Sequence, residues 1–521
     1  MLSAAFSSRN RVCLWPGKAV VCGALALFLC AATGWPQQTG DQGTQQPSQP
    51  SGQQAGQQPT GTQPTGNQSN PPGVQLPLGP ENPIGAAGQP ATSSQVTTPP
   101  GQQMDTRPLT GAQELTAILP GGGRSYAIPS FSVWEGADSD AQLAPGVTKY
   151  EGATIPLGSL DLNYMTKSNQ FSLVGSGGGI IYDSDSSYNS SFGSLAISDA
   201  YTARRWNFLL MDSAMYLPQA SEGFGGIGFA GIFNAAQSLG LGEGLGQINQ
   251  AYAPGQSILL GRFGTSTNNV VGQFQYNLTE RTSFSAVGSF GIQHYAETGF
   301  SSSNDFLYVF ALDHHLNATD TVSLSYTLIQ YRYSGGTVAV NDNVWQAGYG
   351  HRVTDRLIIS VVGGPAVVYS AIRGISGTQE KTTWEGQAKV NYQAERGGIY
   401  LSYLHYITPG SGFFEGANTD TATLGVSRDL TRTWTGSFNL GYTRNTELGT
   451  FSAATNPGPI NYEFGSLRLS HTMGRHMKAF AVYELEHQLS GAALLPDTGQ
   501  TKIFRQIFGV GIQFQPGPYG L

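Results

Sequence analysis

The sequence predicts an all-β protein, a transmembrane antiparallel up-and-down β-barrel of about 18 strands preceded by a disordered segment rich in Gln, Pro and Gly. Composition is the first observation behind this prediction. Charged residues are only 11% of the chain, against about 25% in ordinary soluble domains. Glycine accounts for 70 of 521 residues, with 7 Trp, 24 Tyr and 25 Phe. The second observation is a period-two alternation over Arg124–Phe514, and the third is an N-terminal export signal.

Residues 1–32 are predicted to be a signal peptide. A basic start is followed by an apolar run, Ala19–Ala32, which is too short to span a membrane as a helix. The small residues Ala31 and Ala32 place the cleavage site there. A lipoprotein signal ending at Cys30 is the alternative, but Leu29 stands where such a signal needs a small residue.

Cleavage removes every cysteine and three basic residues. The mature chain therefore has no disulfide or thiolate chemistry, and its net charge is 23 − 33 = −10. This charge argues against nucleic acid as a partner.

Residues 33–120 are predicted to be a disordered low-complexity linker. Its central part, Gln37–Gln103, holds 17 Gln and 12 Pro, only two charged residues and no aromatic residue. Such a composition buries too little apolar surface to offset the entropy of folding. The linker is either an inert spacer or a tether that contacts the cell wall.

Residues 121–521 are predicted to form the barrel. In Thr433–Tyr442, for example, apolar side chains occupy one face and polar side chains the other, as in a half-buried strand. Thr321–Tyr333 is less regular, because its apolar phase slips between Leu328 and Ile329, which suggests a bulge. The strands are predicted near 124–135, 154–165, 169–182, 191–199, 204–217, 266–277, 281–296, 304–316, 319–333, 342–352, 355–371, 381–393, 396–408, 419–428, 432–445, 461–472, 475–489 and 502–514. Sixteen strands is the alternative if 124–135 and one other segment do not pair.

The connections alternate between short polar turns and longer loops rich in Gly, Ser, Asn and Pro. This asymmetry is typical of transmembrane β-barrels. It predicts an apolar outer face against lipid and a polar inner face against water, with no unpaired sheet edge in hydrocarbon. An even strand number places both chain ends on the short-turn side.

The pattern resembles bacterial outer-membrane β-barrel proteins of the porin-like kind. Gly509, Ile512 and Phe514 match the glycine and the two hydrophobic residues that the barrel-assembly machinery recognises in the last strand of such proteins. In those proteins the aromatic residue ends the chain, whereas here Gln515–Leu521 follow it. The resemblance implies an outer-membrane location, periplasmic termini, and outer-membrane lipid and the assembly machinery as partners. A homo-oligomer is a further expectation.

The inner face carries the candidate functional side chains. Strand phase predicts a mixed set of pore-lining charges: Asp161, Arg332, Glu385, Lys389, Arg468, Lys478, Glu484, Glu486 and Arg505. Charged rings bias ion selectivity in pores, but this balanced set predicts no strong preference.

The longest outer loop, Pro218–Gln256, resembles by position the loop that narrows porin pores. Its candidate constriction residues are Glu222, Phe224, Phe229, Phe233 and Glu243. A flexible surface loop is the alternative. The loop also contains a G-x-G-x-x-G match, but no βαβ unit surrounds it, so we expect no dinucleotide or other cofactor.

The sequence predicts no enzyme and no metal site. There is no H-E-x-x-H and no G-x-S-x-G motif. His314 and His315, beside Asp313, are the strongest candidates for acid–base chemistry, but we interpret them as polar residues at the headgroup level. The predicted function is a porin-like channel for passive diffusion of small solutes. The alternative is a non-conducting structural or adhesive barrel, or a component of a polymer exporter, that binds through its loops or tether.

Overall fold

The chain forms a closed antiparallel β-barrel. The computed structural model describes residues 125–140, 149–218, 264–296, 300–334, 338–372, 378–410, 412–448, 458–490, 502–517 and 519–520. Within these residues, no helix is long and apolar enough to cross a membrane. A short 3₁₀ helix, Ser186–Tyr188, lies in one outer loop.

Eighteen long strands build the wall, so the higher of the two predicted counts is confirmed. They are β1 Tyr126–Asp138, β2 Glu151–Met165, β3 Asn169–Tyr182, β4 Ser190–Thr202, β5 Trp206–Leu217, β6 Thr265–Asn277, β7 Thr282–Tyr295, β8 Ser303–His315, β9 Asp320–Tyr333, β10 Val338–Thr354, β11 Leu357–Ile372, β12 Thr378–Ala394, β13 Gly397–Thr408, β14 Ala417–Asp429, β15 Trp434–Glu447, β16 Ile460–Met473, β17 Met477–Ser490 and β18 Lys502–Phe514. A two-residue strand, β19 Tyr519–Gly520, follows.

Each long strand pairs antiparallel with its neighbours in sequence, and the first strand closes the barrel against the last. In this seam Phe131 of β1 lies opposite Phe514 of β18, and Asp138 lies opposite Ile507. Closure pairs both edges of the sheet, which a membrane-spanning sheet requires because lipid offers no hydrogen bonds.

The residues after Phe514 extend the seam. Tyr519 and Gly520 pair with Ala127 and Tyr126 at the start of β1, beyond the last residue that β18 reaches. The C-terminal tail therefore has a structural role: it covers the edge of β1 that β18 leaves unpaired.

Short turns connect the strands at one end of the barrel, as predicted. Backbone hydrogen bonds close two of them, from Thr279 to Thr282 (3.1 Å) and from Leu430 to Trp434 (2.9 Å). The longer connections lie at the opposite end, which we call the outer end. Both β1 and β18 have their chain termini at the short-turn end, which we call the inner end.

The outward face is apolar. Leu324 and Val510, for example, are 63% and 62% exposed to the surroundings of the barrel. Aromatic side chains gather near the inner end, where Trp206 stacks on Phe208 and lies 4.2 Å from Tyr276 between ring centroids. An apolar band bordered by aromatic side chains is the surface that a barrel presents to lipid.

The bulge predicted in β9 is wrong. The pairing of β9 with β8 and β10 is continuous across Leu328 and Ile329. Instead, Ile329 and Tyr331 continue the inward phase of the strand and are buried at 2% exposure each. The only register shift within the pairing of β10 with β11 lies between Arg352 and Thr354.

The inner face is not uniformly polar, which corrects the sequence-based expectation. Three apolar clusters lie on it. The largest lies mainly on β5–β11, with members on β3 and β13, and includes Met211, Val271, Val309 and Tyr331. A second surrounds Trp134 near the seam. Val271 lies between the inward-facing Asn269 and Gln273, whereas Val309 and Tyr331 have apolar inward neighbours on both sides. The inner face therefore mixes polar and apolar side chains within one strand phase.

Candidate functional site

The inner wall holds eight of the nine charged residues predicted to face inward. Their side chains alternate with lipid-facing neighbours, and all but Lys478 are at most 9% exposed: Asp161, Glu385, Lys389, Arg468, Lys478, Glu484, Glu486 and Arg505. Their predicted role in lining a pore stays a prediction. The structure brings some of them together and leaves others apart.

Arg332 is the exception, and its predicted inward orientation is wrong. It lies on the outward phase of β9, between the inward-facing Tyr331 and Tyr333. Its guanidinium donates to the Val340 carbonyl oxygen (3.1 Å) and to Asn341 Oδ1 (2.7 Å). The error follows from the presumed bulge, which shifted the assigned phase by one residue.

Arg505 is the centre of a buried ionic network at the seam. It is fully inaccessible, and its Nε and Nη2 donate to the two carboxylate oxygens of Asp138 at 2.9 and 2.5 Å. Its Nη1 donates to Glu486 Oε2 at 3.4 Å. Two parallel bonds to one carboxylate fix the orientation of the guanidinium as well as its charge. The network joins β1, β17 and β18 near the outer end.

Two tyrosines complete this network. Tyr462 donates to Glu486 Oε1 (2.9 Å), and Tyr182 donates to Asp138 Oδ2 (3.3 Å). The strands β3 and β16 are thereby tied to the seam. Asp138, Tyr182 and Tyr462 were not predicted, although Asp138 shares the inward phase of Trp134 within β1.

A second cation, Arg468, lies on the same side of the inner wall. Its guanidinium carbon lies 4.4 Å from the centroid of the Phe480 ring, and its Nε donates to Ser470 Oγ at 3.3 Å. Glu484, on the neighbouring strand, interacts with it electrostatically. A cation against an aromatic face with a carboxylate nearby is a stable arrangement for a buried guanidinium.

A contrasting acidic pair lies on the opposite part of the wall. Asp342 of β10 and Glu385 of β12 are 0% and 1% exposed, and their carboxyl groups lie within hydrogen-bonding reach of each other. Within the described residues, neither oxygen of Asp342 has a hydrogen-bond partner, nor does Glu385 Oε1. Asp342 was not predicted. It is the first residue of the predicted strand 342–352, so the alternation did not assign its side chain to a face.

The connection between β13 and β14, residues 409–416 with Ser411 outside the described residues, extends over the outer end of the barrel. This loop reaches the connection between β7 and β8: Ser301 N donates to the Gly412 carbonyl oxygen (2.9 Å), and Ser301 Oγ donates to Glu415 Oε1 (3.0 Å). The two connections are six strands apart along the wall. We call Pro409–Gly416 the mouth loop.

The mouth loop is anchored by an aromatic residue and shaped by glycines. Phe414 is 2% exposed and belongs to an apolar cluster with Tyr295, Tyr462 and Phe464 on the inner wall. Gly412 has φ of +74°, and a Cβ on it would lie 2.5 Å from the ring of Tyr295. Both the left-handed backbone and the close approach of that ring favour glycine.

The predicted constriction residues Glu222, Phe224, Phe229, Phe233 and Glu243 lie outside the described residues, so their role stays a prediction. The mouth loop was missed by the sequence interpretation because it is short. Its glycines at 410, 412 and 416, all with positive φ, were the available signal.

The predicted assembly residues occupy the last strand as expected from its alternation. Ile512 and Phe514 face outward at 50% and 49% exposure. Gly509 faces inward, where a Cβ would lie 2.3 Å from the indole of Trp134. Gly509 therefore makes room for Trp134 across the seam. Recognition by the assembly machinery stays a prediction.

The histidine candidates lie apart from each other. His314 faces outward and shares a hydrogen bond with Thr282 Oγ1 (2.9 Å), whereas His315 has the inward phase and contacts Thr321 Oγ1 (3.0 Å). Opposite faces of one strand cannot contribute to one catalytic site. Within the described ranges, no group of three or more His, Cys, Asp and Glu side chains is arranged to hold a metal ion.

No protein-family model matches the sequence, and no curated protein matches it. Similar solved structures include OccK2 (OpdF) of Pseudomonas aeruginosa, 10% identical over 75% of this chain and 98% of that chain, with a TM-score of 0.38. OccAB2 of Acinetobacter baumannii is 9% identical over 76% and 98%, with a TM-score of 0.40. The ferric-catecholate import receptor Fiu of E. coli K12 is 10% identical over 76% and 82%, at 0.39. The strand pairing itself establishes the fold, a closed antiparallel barrel of 18 long strands.

Proposed function

We propose that the protein is a porin-like channel of the bacterial outer membrane for passive diffusion of small solutes. The observation that carries this proposal is a closed wall of 18 strands with charged side chains on its inner face. Barrels of 16–18 strands enclose a lumen wide enough for water, whereas about eight strands leave only a side-chain-filled core.

The outer surface supports the membrane location. Large apolar side chains cover it, and aromatic side chains border it near the inner end. Export through the predicted signal peptide, insertion by the barrel-assembly machinery and periplasmic termini complete the proposal. A contact of the linker with the cell wall and a homo-oligomer stay predictions.

The polar part of the inner wall supports passage of hydrophilic solutes. Its charged side chains lie on strands that include β12, β16 and β2 and carry both signs of charge, as in Lys389, Arg468 and Asp161. A mixed lining favours weak selectivity rather than exclusion of one ion class. The mouth loop limits the entrance, since it joins two connections across the outer end.

A second candidate function is a non-conducting barrel that binds through its outer loops. The observation that favours it is the low exposure of the inward side chains, both in the largest apolar cluster and among the charged residues, of which all but Lys478 are at most 9% exposed. An apolar inner wall does not attract water, and a lumen without water does not conduct ions.

Single-channel conductance separates the two candidates. The mature protein is refolded, its insertion is verified by heat-modifiable mobility, and it is added to a planar bilayer. The test variant is Gly412→Ala, which strains the mouth loop and displaces it from Tyr295. The control is Gly474→Ala, also at positive φ (+76°) but in an inner-end turn where a Cβ meets nothing within 4 Å.

We expect stable conductance steps for the unmodified protein, larger steps for Gly412→Ala and unchanged steps for Gly474→Ala. Inserted protein without any conductance would contradict the channel and favour the binding barrel. Equal steps in all three proteins would retain the channel but remove the mouth loop as its constriction.

A further inference from the structure

Asp342 and Glu385 lie on the inner wall with β11 between them. Both side chains have the inward phase of their strands, and they are 0% and 1% exposed. Two buried carboxylates in contact repel each other unless a proton or a cation lies between them. The described residues therefore place two buried carboxylates together without a counter-charge between them.

Three of the four carboxylate oxygens in this pair have no hydrogen-bond partner in the part of the chain that the structure describes. The two carboxyl groups approach within hydrogen-bonding reach, but an ionised carboxylate only accepts hydrogen bonds. A hydrogen bond between them thus requires a proton on one of them. Even then, one negative charge and at least one buried oxygen remain unsatisfied.

A third oxygen donor lies beside Glu385. Gln346 is 8% exposed, and its Oε1 has no hydrogen-bond partner among the described residues. It has the inward phase of β10, and Gly364 separates it from Glu385 in the adjacent strand. A Cβ on Gly364 would lie 1.9 Å from the Trp345 carbonyl oxygen, so this position stays free of a side chain.

The nearest basic residues on this part of the wall do not complete the pair. Lys389 stands four residues from Glu385 along β12, about 13 Å away along a strand. Lys381 has the register position opposite Asp342, with Val368 of β11 between them, but neither oxygen of Asp342 has a hydrogen-bond partner within the described residues. The inner-wall acid Asp305 adds a further negative charge near Tyr331, which also lies near Asp342 and Glu385. The local charge around the pair is therefore negative.

We propose that Asp342 and Glu385, with the Gln346 carbonyl group, form a binding site for a hard divalent cation such as Ca²⁺. The charges of two carboxylates balance that of a divalent cation, and the pair offers it up to four oxygen ligands. A proton shared by the pair would form only one hydrogen bond. The donor set contains oxygen and neither nitrogen nor sulfur, as Ca²⁺ and Mg²⁺ prefer. Ca²⁺ takes six to eight oxygens at about 2.3–2.6 Å, so waters would complete the shell.

Calorimetric titration with CaCl₂ tests the site directly. The full mature chain is refolded in detergent, which keeps lipopolysaccharide and its own cations away, and is stripped with EDTA. The variants are Asp342→Asn and Glu385→Gln, which preserve side-chain size. The control is Asp161→Asn, which removes another inner-wall carboxylate, 3% exposed, from a distant strand. Binding is measured whether or not the barrel conducts.

We expect one Ca²⁺ per chain, with affinity at least tenfold weaker in each test variant and within twofold of the parent in the control. The melting temperature should rise with Ca²⁺ in the parent and the control but not in the test variants. This second readout separates loss of binding from loss of folding. Absence of Ca²⁺ binding by the parent, or equal binding by all variants, would overturn the site and leave the pair as a proton-sharing couple.

Discussion

Two buried ionic groups in this barrel have opposite characters. At the seam, Arg505 lies between Asp138 and Glu486, and each charge has partners at hydrogen-bonding distance. On the opposite wall, Asp342 and Glu385 are equally buried but have no cationic partner within the described residues. The same strand alternation placed both groups on the inner face.

The two buried groups have different effects on the barrel. The seam network links the first strand to the last, so its bonds form only when the barrel has closed. The acidic pair lies on β10 and β12, two strands that are joined through β11 and far from the seam. Its contact therefore adds nothing to closure of the barrel. We infer that the seam network stabilises the fold, whereas the acidic pair costs stability until a cation binds.

The largest effect is expected from Arg505→Met. This change leaves Asp138 and Glu486 buried without their counter-ion, which typically costs about 3–5 kcal/mol. The measurement is the free energy of unfolding in urea, followed by tryptophan fluorescence in lipid vesicles. The control is Arg428→Met on the exposed outward face, where we expect a change within about 0.5 kcal/mol. Equal stability of the two variants would contradict a stabilising seam.

Tyr462→Phe is expected to have the next largest effect. Its hydroxyl donates to a buried carboxylate, and hydrogen bonds to charged groups contribute about 1.5–3 kcal/mol. Tyr442→Phe is the matched control, because its hydroxyl makes a 3.0 Å bond to Asn461 on the outward face. The same unfolding assay should show a loss for Tyr462→Phe alone. A loss of similar size in both variants would show that the seam environment is not special.

Glu385→Gln is expected to change stability in the opposite direction. Removing one of two repelling carboxylates in EDTA should raise the free energy of unfolding by about 1 kcal/mol, since an unpaired buried charge is unfavourable. The same substitution at the seam, Glu486→Gln, should lower it, because the side chain there accepts from Arg505 and Tyr462. Destabilisation by both changes would remove the distinction between the groups.

The smallest effect is expected at an exposed ion pair in the inner-end turns. Arg356 Nη2 lies 2.7 Å from Glu395 Oε1, and the side chains are 52% and 79% exposed. The hydrogen bond from Arg356 and its positive charge lower the pKa of Glu395. A carboxyl group whose pKa is lowered in the folded state stabilises the fold at pH values above its ordinary pKa. That stabilisation is lost as the pH falls through the pKa of the folded state.

This exposed pair provides the baseline for the buried groups. Arg356→Gln should leave the urea midpoint unchanged at neutral and acidic pH, because solvent screens an exposed pair. A midpoint shift as large as that of Arg505→Met would show that exposure does not determine the strength of these ion pairs.

The sequence predicted the strand order and most side-chain orientations because period-two alternation is local. It misplaced Arg332 because Leu328 and Ile329 are both apolar, so alternation has no phase at that point. The contact of Asp138 with Arg505 joins residues 367 positions apart and depends on closure. No local pattern carries that information, and the same holds for the meeting of the mouth loop with Ser301.

The apolar clusters of the inner wall were missed for a different reason. A valine on an inward phase, such as Val309 or Val340, has the same local signal as one on an outward phase in a buried strand. Only the assignment of the lipid-facing side distinguishes them. The predicted chemistry of the lumen was therefore less accurate than the predicted chemistry of the outer surface.

Liposome swelling measures whether small solutes pass through the barrel. Vesicles that contain refolded mature protein are diluted into isotonic solutions of uncharged sugars of increasing size, and swelling is followed by light scattering. We expect rapid swelling with the smallest sugars, slower swelling as size increases, and a shift to larger sugars for Gly412→Ala. If insertion is verified and swelling is no faster than that of protein-free vesicles, the result would contradict passive diffusion through the barrel.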